Sequence, residues 1–244
     1  MRWRDTANER KPTTDIITAY TLKFRKENLL MKSFCIIGLG KFGQSLALSL
    51  AADGKQVMVI DTDGDRIAQI ADLVTNAVIG DPTNESVLVA AGVRDYDCAV
   101  VCFTGNINDN ILLTIMLKEQ GVKRVVVRAV NEGHQKVLER IGADLIIFPE
   151  RDMGENLAFK LTKESVTEYM EFSGCAIVEI VVPDTWAGKD LIALDLRKKH
   201  GLNIVAVSRV DGTLDVSPRP DRIFSKGEKA MIIGSEEAIT KFIK

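Results

Sequence analysis

SFCIIGLGKFG, residues 33–43, places an apolar run directly before a GxGxxG pattern that opens a helix-period segment. This pattern binds phosphate when a strand runs into the glycine turn and a helix begins directly after it. Gly38 permits the tight turn, Gly40 lets a pyrophosphate approach the backbone, and Gly43 lets the helix pack against the strand. The helix N-terminus adds unpaired N–H donors and a positive dipole end. The stretch therefore predicts a nucleotide-binding strand–helix unit.

Asp61 ends the second apolar run, 18 positions after Gly43. A carboxylate at this place accepts hydrogen bonds from the ribose hydroxyls of a bound nucleotide. The same carboxylate repels a 2′-phosphate, and Arg66 is interpreted as a solvated helix charge, so NADP is disfavoured. The two signals together favour an adenine nucleotide. On these residues alone, NAD, ATP and ADP stay open.

Short β-branched runs alternate with helix-period segments over residues 33–148, which is typical of a parallel sheet covered by helices on both faces. We expect six strands, near residues 33–37, 56–60, 77–79, 97–102, 124–128 and 144–147. Residues at the carboxyl ends of such strands lie where open α/β sheets bind ligands. The predicted nucleotide site contains the glycine loop with Leu39, Lys41 and Phe42, then Asp61, Asp81, Thr83, Phe103, Thr104 and Arg128. Ordinary loop capping is the alternative role of Asp81, Thr83, Phe103 and Thr104.

The pattern changes after the sixth strand. Pro149 ends that strand, and Asp152 is predicted to cap an amphipathic helix that runs to about Thr162. The fold class is therefore α/β, a Rossmann-type doubly wound parallel sheet followed by a crossover helix and a second, smaller α/β domain. The predicted parts are an extension or tail at residues 1–31, a nucleotide-binding domain at 32–150, crossover helices at 151–172 and a C-terminal domain at 173–244.

Composition argues against several classes of protein. The 32 basic and 34 acidic residues give a net charge of -2, which provides no general attraction for nucleic acid. The four cysteines lie in apolar runs without a CxxC pair, so buried, reduced thiols are expected. No apolar run approaches the roughly 18 residues of a membrane span, so any membrane role is expected to act through a partner.

Four motifs extend well beyond the glycine pattern: IGLGKFG at 37–43, GDPTN at 80–84, KVLERIGAD at 136–144 and FPERDMG at 148–154. With them, about residues 32–244 resemble the RCK proteins (regulators of K+ conductance), of the KtrA/KtrC or TrkA type. The resemblance implies a cytosolic, nucleotide-sensing regulatory subunit that gates a potassium channel or uptake system. It also implies homodimers that assemble into an octameric ring at the inner face of the cell membrane, beneath a membrane-embedded pore subunit.

The resemblance further implies that the first domain binds ATP or ADP, with NAD(H) as the alternative. Lys41 stands where relatives commonly place an arginine that reaches the terminal phosphate of a nucleotide in the adjoining subunit. Glu150 matches a carboxylate that helps relatives hold a divalent cation, Mg2+ or Ca2+, at the dimer interface. A surface charge favoured by the helix dipole is the alternative role of Glu150.

A second ligand is implied for the C-terminal domain. The segment from residue 191 to 204, with Ser217-Pro218, is similar to the part of KtrA/KtrC-type proteins that binds cyclic di-AMP. A planar guanidinium pairs well with phosphate oxygens, and apolar side chains provide walls for adenine. The predicted residues are Ile192, Asp195, Arg197, Asn203 and Pro218. The alternative is a surface ion pair between the arginine and the neighbouring aspartate.

Two other classes of function compete with this interpretation. A NAD-dependent oxidoreductase would use the same glycine loop, but no catalytic set accompanies it, and His134 and His200 are interpreted as surface or capping residues. A transcriptional sensor needs a basic recognition helix, and residues 1–30 carry only seven basic against four acidic residues. We therefore expect a protein that is not an enzyme and does not bind nucleic acid.

Overall fold

The computed structural model describes residues 31–172 and 174–243, which form two units that divide between Pro149 and Glu150. Most of the predicted N-terminal extension, residues 1–30, lies outside the described residues. Met31, the first described residue, packs against the core of the first unit. Among the described helices, none is long and apolar enough to cross a membrane.

The first unit is a six-stranded parallel sheet with a helix after each of its first five strands. Its strands lie in the order β3-β2-β1-β4-β5-β6, and every neighbouring pair is parallel. This confirms the predicted Rossmann-type fold and its six strands. In chain order the elements are β1 (Ser33–Ile37), α1 (Lys41–Ala52), β2 (Gln56–Asp61), α2 (Gly64–Ile70), β3 (Asn76–Ile79), α3 (Glu85–Ala91), β4 (Cys98–Val101), α4 (Ile107–Glu119), β5 (Val125–Arg128), α5 (Glu132–Arg140) and β6 (Leu145–Ile147).

Both faces of this sheet are buried, which explains its uninterrupted apolar strands. Alternate residues of one strand enter opposite cores, as Cys35 and Ile37 pack on one side while Ile36 packs on the other. All four residues of β4 are buried. A polar side chain within these central strands would lose its water on either face, so the chain places its polar residues at the strand ends.

The strand order reverses at β1, which lies between β2 and β4. Loops leaving β1 and β4 therefore run to opposite sides and open a crevice at the carboxyl edge of the sheet. Backbone hydrogen bonds hold the edges of this crevice together. The amide of Gly38 donates to Ile60 at 2.8 Å, and the amide of Cys102 donates to Ile37 at the same distance.

The second unit contains a five-stranded antiparallel sheet in the order β10-β9-β11-β8-β7. Its core contains Trp186, whose ring meets Phe224 edge-on at a centroid distance of 5.5 Å. The elements are α6 (Pro149–Thr162), β7 (Val166–Phe172), β8 (Cys175–Val181), α7 (Leu191–Leu194), α8 (Leu196–His200), β9 (Asn203–Ser208), β10 (Leu214–Asp215), β11 (Lys229–Gly234) and α9 (Glu236–Phe242).

Two expectations about the crossover segment were wrong. Helix α6 begins at Pro149, so Asp152 lies inside its first turn and is not its N-cap. Proline suits the first helical position because the N–H that it lacks has no partner there. The crossover helices were expected to continue to residue 172, but Val166–Phe172 is the edge strand β7, paired with β8. Only residues 149–162 of this segment are helical.

Helix α6 packs one side against β7 and leaves the other exposed. The ring of Phe159 lies 4.1 Å from that of Tyr169, measured between centroids, and Asn156 Nδ2 donates to the Tyr169 carbonyl at 2.8 Å. The exposed apolar side chains follow helical spacing and are Met153, Leu157 and Leu161, with 68%, 52% and 77% of their surface accessible.

The helical segment at residues 191–200 is interrupted. Asp195 has φ 46° and separates the short helices α7 and α8. Among the described residues it is the one non-glycine residue with positive φ. A left-handed backbone costs energy for any residue with a side chain, so this break is a strained point of the second unit.

Candidate functional site

The crevice at the carboxyl edge of the first sheet encloses a cavity of about 540 Å³. Five of the parallel strands contribute to its lining through their carboxyl ends or the loops that follow them. The lining residues are Gly38, Gly40, Ile60, Asp61, Thr62, Arg66, Asp81, Pro82, Thr83, Cys102, Phe103, Thr104, Gly105, Asn106, Asp109 and Arg128. The size is within the range of small-molecule sites.

The three loop glycines meet different constraints. Gly38 has φ 95°, and a Cβ there would lie 2.9 Å from Phe103. A Cβ on Gly43 would lie 2.0 Å from the Gly38 carbonyl oxygen, so the fold itself excludes a side chain at both positions. Gly40 has φ -63°, and a Cβ there would meet nothing within 4 Å. The empty space beside Gly40 leaves its backbone open to a ligand in the cavity.

Helix α1 presents an uncapped N-terminus at this loop. Its N-cap is Gly40, which offers no capping side chain, and its first turn contains no acidic residue. Helices α2 to α5, in contrast, each have a capping Asp or Asn side chain and an acidic residue in the first turn. Unpaired N–H groups and a positive dipole end favour an anion at the N-terminus of α1.

Asp61 lies against the same loop, with 6% of its surface exposed. Its Oδ2 accepts a hydrogen bond from the Leu39 amide at 2.5 Å, and its Oδ1 accepts one from the Asp63 amide at 2.9 Å. A carboxylate has about four acceptor positions, so two amide donors leave capacity for hydroxyl groups of a ligand. The predicted ribose acceptor is thus held beside the predicted phosphate-binding loop.

Arg66 is an exposed charge on α2, as the sequence suggested, and it also pairs with two aspartates. It lines the cavity, its Nε lies 3.1 Å from Asp63 Oδ2, and its Nη1 lies 3.8 Å from Asp61 Oδ2. Its side chain is 51% exposed, so these ion pairs are partly screened by water. The sequence offered no signal for this position, because the spacing of Arg66 fits equally well with a helix surface.

Asp81 and Thr83 both line the cavity, and they also bond to each other. Asp81 Oδ1 accepts hydrogen bonds from the Thr83 hydroxyl at 2.7 Å and the Thr83 amide at 2.9 Å. These bonds lower the pKa of Asp81, the hydroxyl having the larger effect. Asp81 and Thr83 therefore cap this turn and also line the cavity.

Phe103, Thr104 and Arg128 also lie where the sequence placed them, on the cavity wall. The Arg128 guanidinium donates to the Cys102 carbonyl at 3.3 Å and lies 5.6 Å from the centre of the Phe42 ring. Phe42 thus supports Arg128 from behind the wall. The residues of the wall that sequence reasoning missed are Ile60, Thr62, Arg66, Pro82, Cys102, Gly105, Asn106 and Asp109.

The remaining loop residues do not line the cavity. Leu39 is buried with its amide on Asp61, and Gly43 is buried against Gly38. Lys41, the first residue of α1, is exposed. Glu150 is exposed in the first turn of α6. In the part of the chain that the structure describes, no cluster of three or more His, Cys, Asp and Glu side chains is arranged to hold a metal ion.

The residues predicted to bind a ligand in the second unit are largely accessible. Ile192 is 67% exposed, Arg197 and Asn203 are exposed, and Asp195 and Pro218 are half-buried. Arg197 follows the strained Asp195 by two positions, and the described residues include no ion pair between the two.

The thiols of Cys98 and Cys102 and the imidazole of His134 are buried. Burial raises the pKa of Cys98 and of Cys102 to about 12, so both remain thiols at neutral pH. His134 was interpreted as a surface or capping residue, but it is 3% exposed, and burial lowers its pKa. Its Nδ1 accepts from the Val130 amide at 3.4 Å, which also requires a neutral ring.

Comparison with known proteins gives a consistent result over most of the chain. Residues 34–149 match the TrkA-N domain family, and residues 176–244 match the TrkA-C domain family. The chain is 41% identical to the Ktr system potassium uptake protein C of Bacillus subtilis (strain 168), over 88% of this chain and 97% of that protein. It is 36% identical to the Ktr system potassium uptake protein A of the same organism, over 86% of this chain and 95% of that protein.

Among solved structures, the chain is similar to the GsuK channel bound to NAD, with 25% identity and a TM-score of 0.47. The similarity covers 86% of this chain and 38% of the channel chain, so this chain spans well under half of that channel's length.

The different roles of the glycines give a direct test of the cavity as a phosphate site. Gly40→Ala adds a methyl group where the fold has space, so we expect a stability within about 1 kcal/mol of wild type. The methyl group blocks the approach of a pyrophosphate, so we expect ATP affinity in calorimetry to fall at least about tenfold. Gly43→Ala, as the control for a fold defect, should lower stability by about 1–3 kcal/mol. ATP binding by Gly40→Ala at wild-type strength would contradict the assignment.

Proposed function

The chain belongs to the Ktr family of potassium uptake proteins, and we propose that it is a nucleotide-sensing regulatory subunit of a membrane-embedded potassium channel or transporter. The proposal is supported by identities of 41% and 36% that extend over almost the full length of two Ktr proteins. Its place of action is the inner face of the membrane, through the pore-forming partner.

One observation carries the nucleotide part of the proposal. The uncapped N-terminus of α1 and the buried carboxylate of Asp61 face one cavity, at the point where the strand order reverses. The first feature suits phosphate and the second suits ribose hydroxyls. A nucleotide requires both within one site, whereas a phosphate ion or a sugar alone requires only one of them.

ATP and ADP are the proposed ligands, and NAD(H) is the second choice. The carboxylate of Asp61 disfavours a 2′-phosphate, which argues against NADP. The ATP/ADP choice rests on family membership, because the glycine loop serves mononucleotides and dinucleotides alike. Binding measurements with ATP, ADP, NAD and NADH distinguish a site for ATP and ADP from a site for NAD(H).

A binding role fits the chemistry of the site better than an oxidoreductase does. Within the described residues that line the cavity there is no histidine, lysine or serine, and the thiol of Cys102 has its pKa raised by burial. The carboxylates of the wall are Asp61 and Asp81, which accept hydrogen bonds from backbone amides, and Asp109. Few groups therefore remain to move a proton during a hydride transfer.

Assembly is the second part of the proposal. The exposed apolar face of α6 contains Met153, Leu157, Ala158 and Leu161, and burying it between two copies of the chain would remove it from water. In the octameric ring that we propose on family grounds, Lys41 reaches a nucleotide phosphate of the adjoining subunit. Glu150 helps to hold Mg2+ or Ca2+ at the dimer interface, where ligands from two chains combine.

Asp61→Asn tests the function as a whole, because it keeps the size of the side chain and removes its charge. We expect ATP binding to the full chain to weaken by about 1.5–3 kcal/mol in calorimetry. In potassium-uptake-deficient cells that express a Ktr membrane subunit, the variant should fail to restore the ATP-dependent regulation of uptake. Asp72→Asn, an exposed carboxylate outside the cavity, is the matched control. Undiminished ATP binding and normal uptake with Asp61→Asn would contradict the proposal.

A charge on α6 tests the assembly. Leu157→Asp removes a burial worth about 1.5–3 kcal/mol per subunit and places a carboxylate in the proposed interface. We expect light scattering to show a shift from dimers or larger species to monomers. Glu155→Lys changes the charge of the same helix away from the exposed apolar face and should leave the mass unchanged. A wild-type chain that is monomeric throughout would overturn the interface.

The second unit is the proposed site of cyclic di-AMP. Arg197, two positions after the strained turn at Asp195, is accessible, and so are the apolar side chain of Ile192 and the amide of Asn203. A guanidinium binds phosphate through parallel hydrogen bonds, and a two-fold axis between subunits suits a ligand that is itself two-fold symmetric.

Arg197→Ala is expected to weaken binding of cyclic di-AMP to the full chain by about 1.5–3 kcal/mol, the range for hydrogen bonds to charged groups. Equilibrium dialysis measures the affinity of each variant for cyclic di-AMP. Arg209→Ala, another exposed arginine of the second unit, should bind as wild type does. No binding by the dimeric wild-type chain would exclude cyclic di-AMP.

A further inference from the structure

Arg66 occupies an unfavourable place for a cation, the first turn of helix α2. The positive end of the helix dipole repels it there. Two carboxylates offset this repulsion, since Arg66 Nε lies 3.1 Å from Asp63 and its Nη1 lies 3.8 Å from Asp61. The guanidinium also lines the cavity. A cation held at this point by acidic partners calls for a role beyond surface charge.

The contacts of Asp61 are asymmetric between its two oxygens. Oδ2 accepts from the Leu39 amide and also faces the Arg66 guanidinium. Oδ1 accepts only from the Asp63 amide among the described groups. Each carboxylate oxygen has about two acceptor positions, so each keeps one for a ligand. At 3.8 Å the guanidinium is an ion-pair partner of Oδ2 beyond hydrogen-bond distance, whereas no ion pair of Oδ1 is present among the described groups.

We propose that Arg66 is a positioning residue for ribose recognition: it holds the Asp61 carboxylate so that Oδ1 accepts the 2′-hydroxyl of a bound adenosine ribonucleotide. The proposal rests on the nucleotide-binding function proposed above. Without Arg66, Asp61 keeps its two amide donors but loses the cation 3.8 Å from Oδ2, and the carboxylate is held less firmly in its orientation toward the ligand. Arg66 therefore contributes to the selection of ribonucleotides over deoxyribonucleotides.

Two other roles of Arg66 predict different results. Stacking of the guanidinium on the purine would stabilise ATP and 2′-deoxy-ATP equally, because both contain the same base. A direct ion pair with phosphate would likewise act on both nucleotides. An effect transmitted through Asp61 depends on the 2′-hydroxyl, and so does a direct hydrogen bond from Arg66, which Asp61→Asn would leave in place. The ratio of the two affinities thus separates the positioning role from the others.

Calorimetry of the full chain with ATP and with 2′-deoxy-ATP tests the inference. For Arg66→Gln we expect the affinity for ATP to fall about two- to fivefold, in line with a half-exposed ion pair. The affinity for 2′-deoxy-ATP should stay the same. The ratio of the ATP affinity to the 2′-deoxy-ATP affinity should therefore fall about two- to fivefold, as the ATP affinity does. Arg66→Lys keeps the positive charge but lacks the planar guanidinium, so its affinity ratio should lie between those of Arg66→Gln and wild type.

Arg94→Gln is the matched control, because Arg94 is 75% exposed in the same unit and lies outside the cavity lining. An equal loss for both nucleotides, or no loss for either, would overturn the positioning role while leaving the proposed function intact. A wild-type chain that binds neither nucleotide, and neither ADP nor NAD(H), would overturn both the positioning role and the proposed function.

Discussion

The carbonyl oxygen of Gly38 occupies the space that a side chain at position 43 would need, and the first unit is organised around this contact. Because the two glycines touch, helix α1 starts directly on the end of β1 and its N-terminus points at the carboxyl edge of the sheet. Asp61 fixes the same loop from the side by accepting from the Leu39 amide. The uncapped amides of α1 and the carboxylate of Asp61 are therefore positioned beside one cavity by the fold itself, which would reduce the ordering cost of the proposed nucleotide binding.

The first sheet was predictable because its strands are buried on both faces. A strand such as Cys98–Val101 has to be apolar throughout, and that run is visible in the sequence. Strand β7 was missed because it is an edge strand, in which Glu168, Met170 and Glu171 are exposed and only pairing with β8 defines it. The break at Asp195 was missed for a related reason, since tertiary packing imposes a conformation that local propensity opposes.

The predicted site depended on the directions of the side chains. The spacing of residues along the sequence determines those directions only in part. Strand ends converge on one edge, and Asp61, Asp81 and Phe103 accordingly line one cavity there. Successive helical residues differ by about 100° in direction, and as a result Lys41 faces solvent while Phe42 packs beneath Arg128. Helical direction also brings Arg66 into the cavity, and nothing in the sequence distinguishes that orientation from one that faces water.

ATP and ADP differ by one phosphate, so a sensor needs a cation that ADP leaves without a partner. Within the described residues, the cations of the cavity wall are Arg66, which pairs with two aspartates, and Arg128, which bonds the Cys102 carbonyl. A cation from a second copy, as proposed for Lys41, would make recognition of the terminal phosphate a property of the assembly. A ligand shifts an equilibrium only by its differential affinity for the two states. In the proposed assembly, a phosphate contact that forms in one arrangement of subunits and not in another would supply that difference, and would thereby couple nucleotide binding to the proposed pore partner.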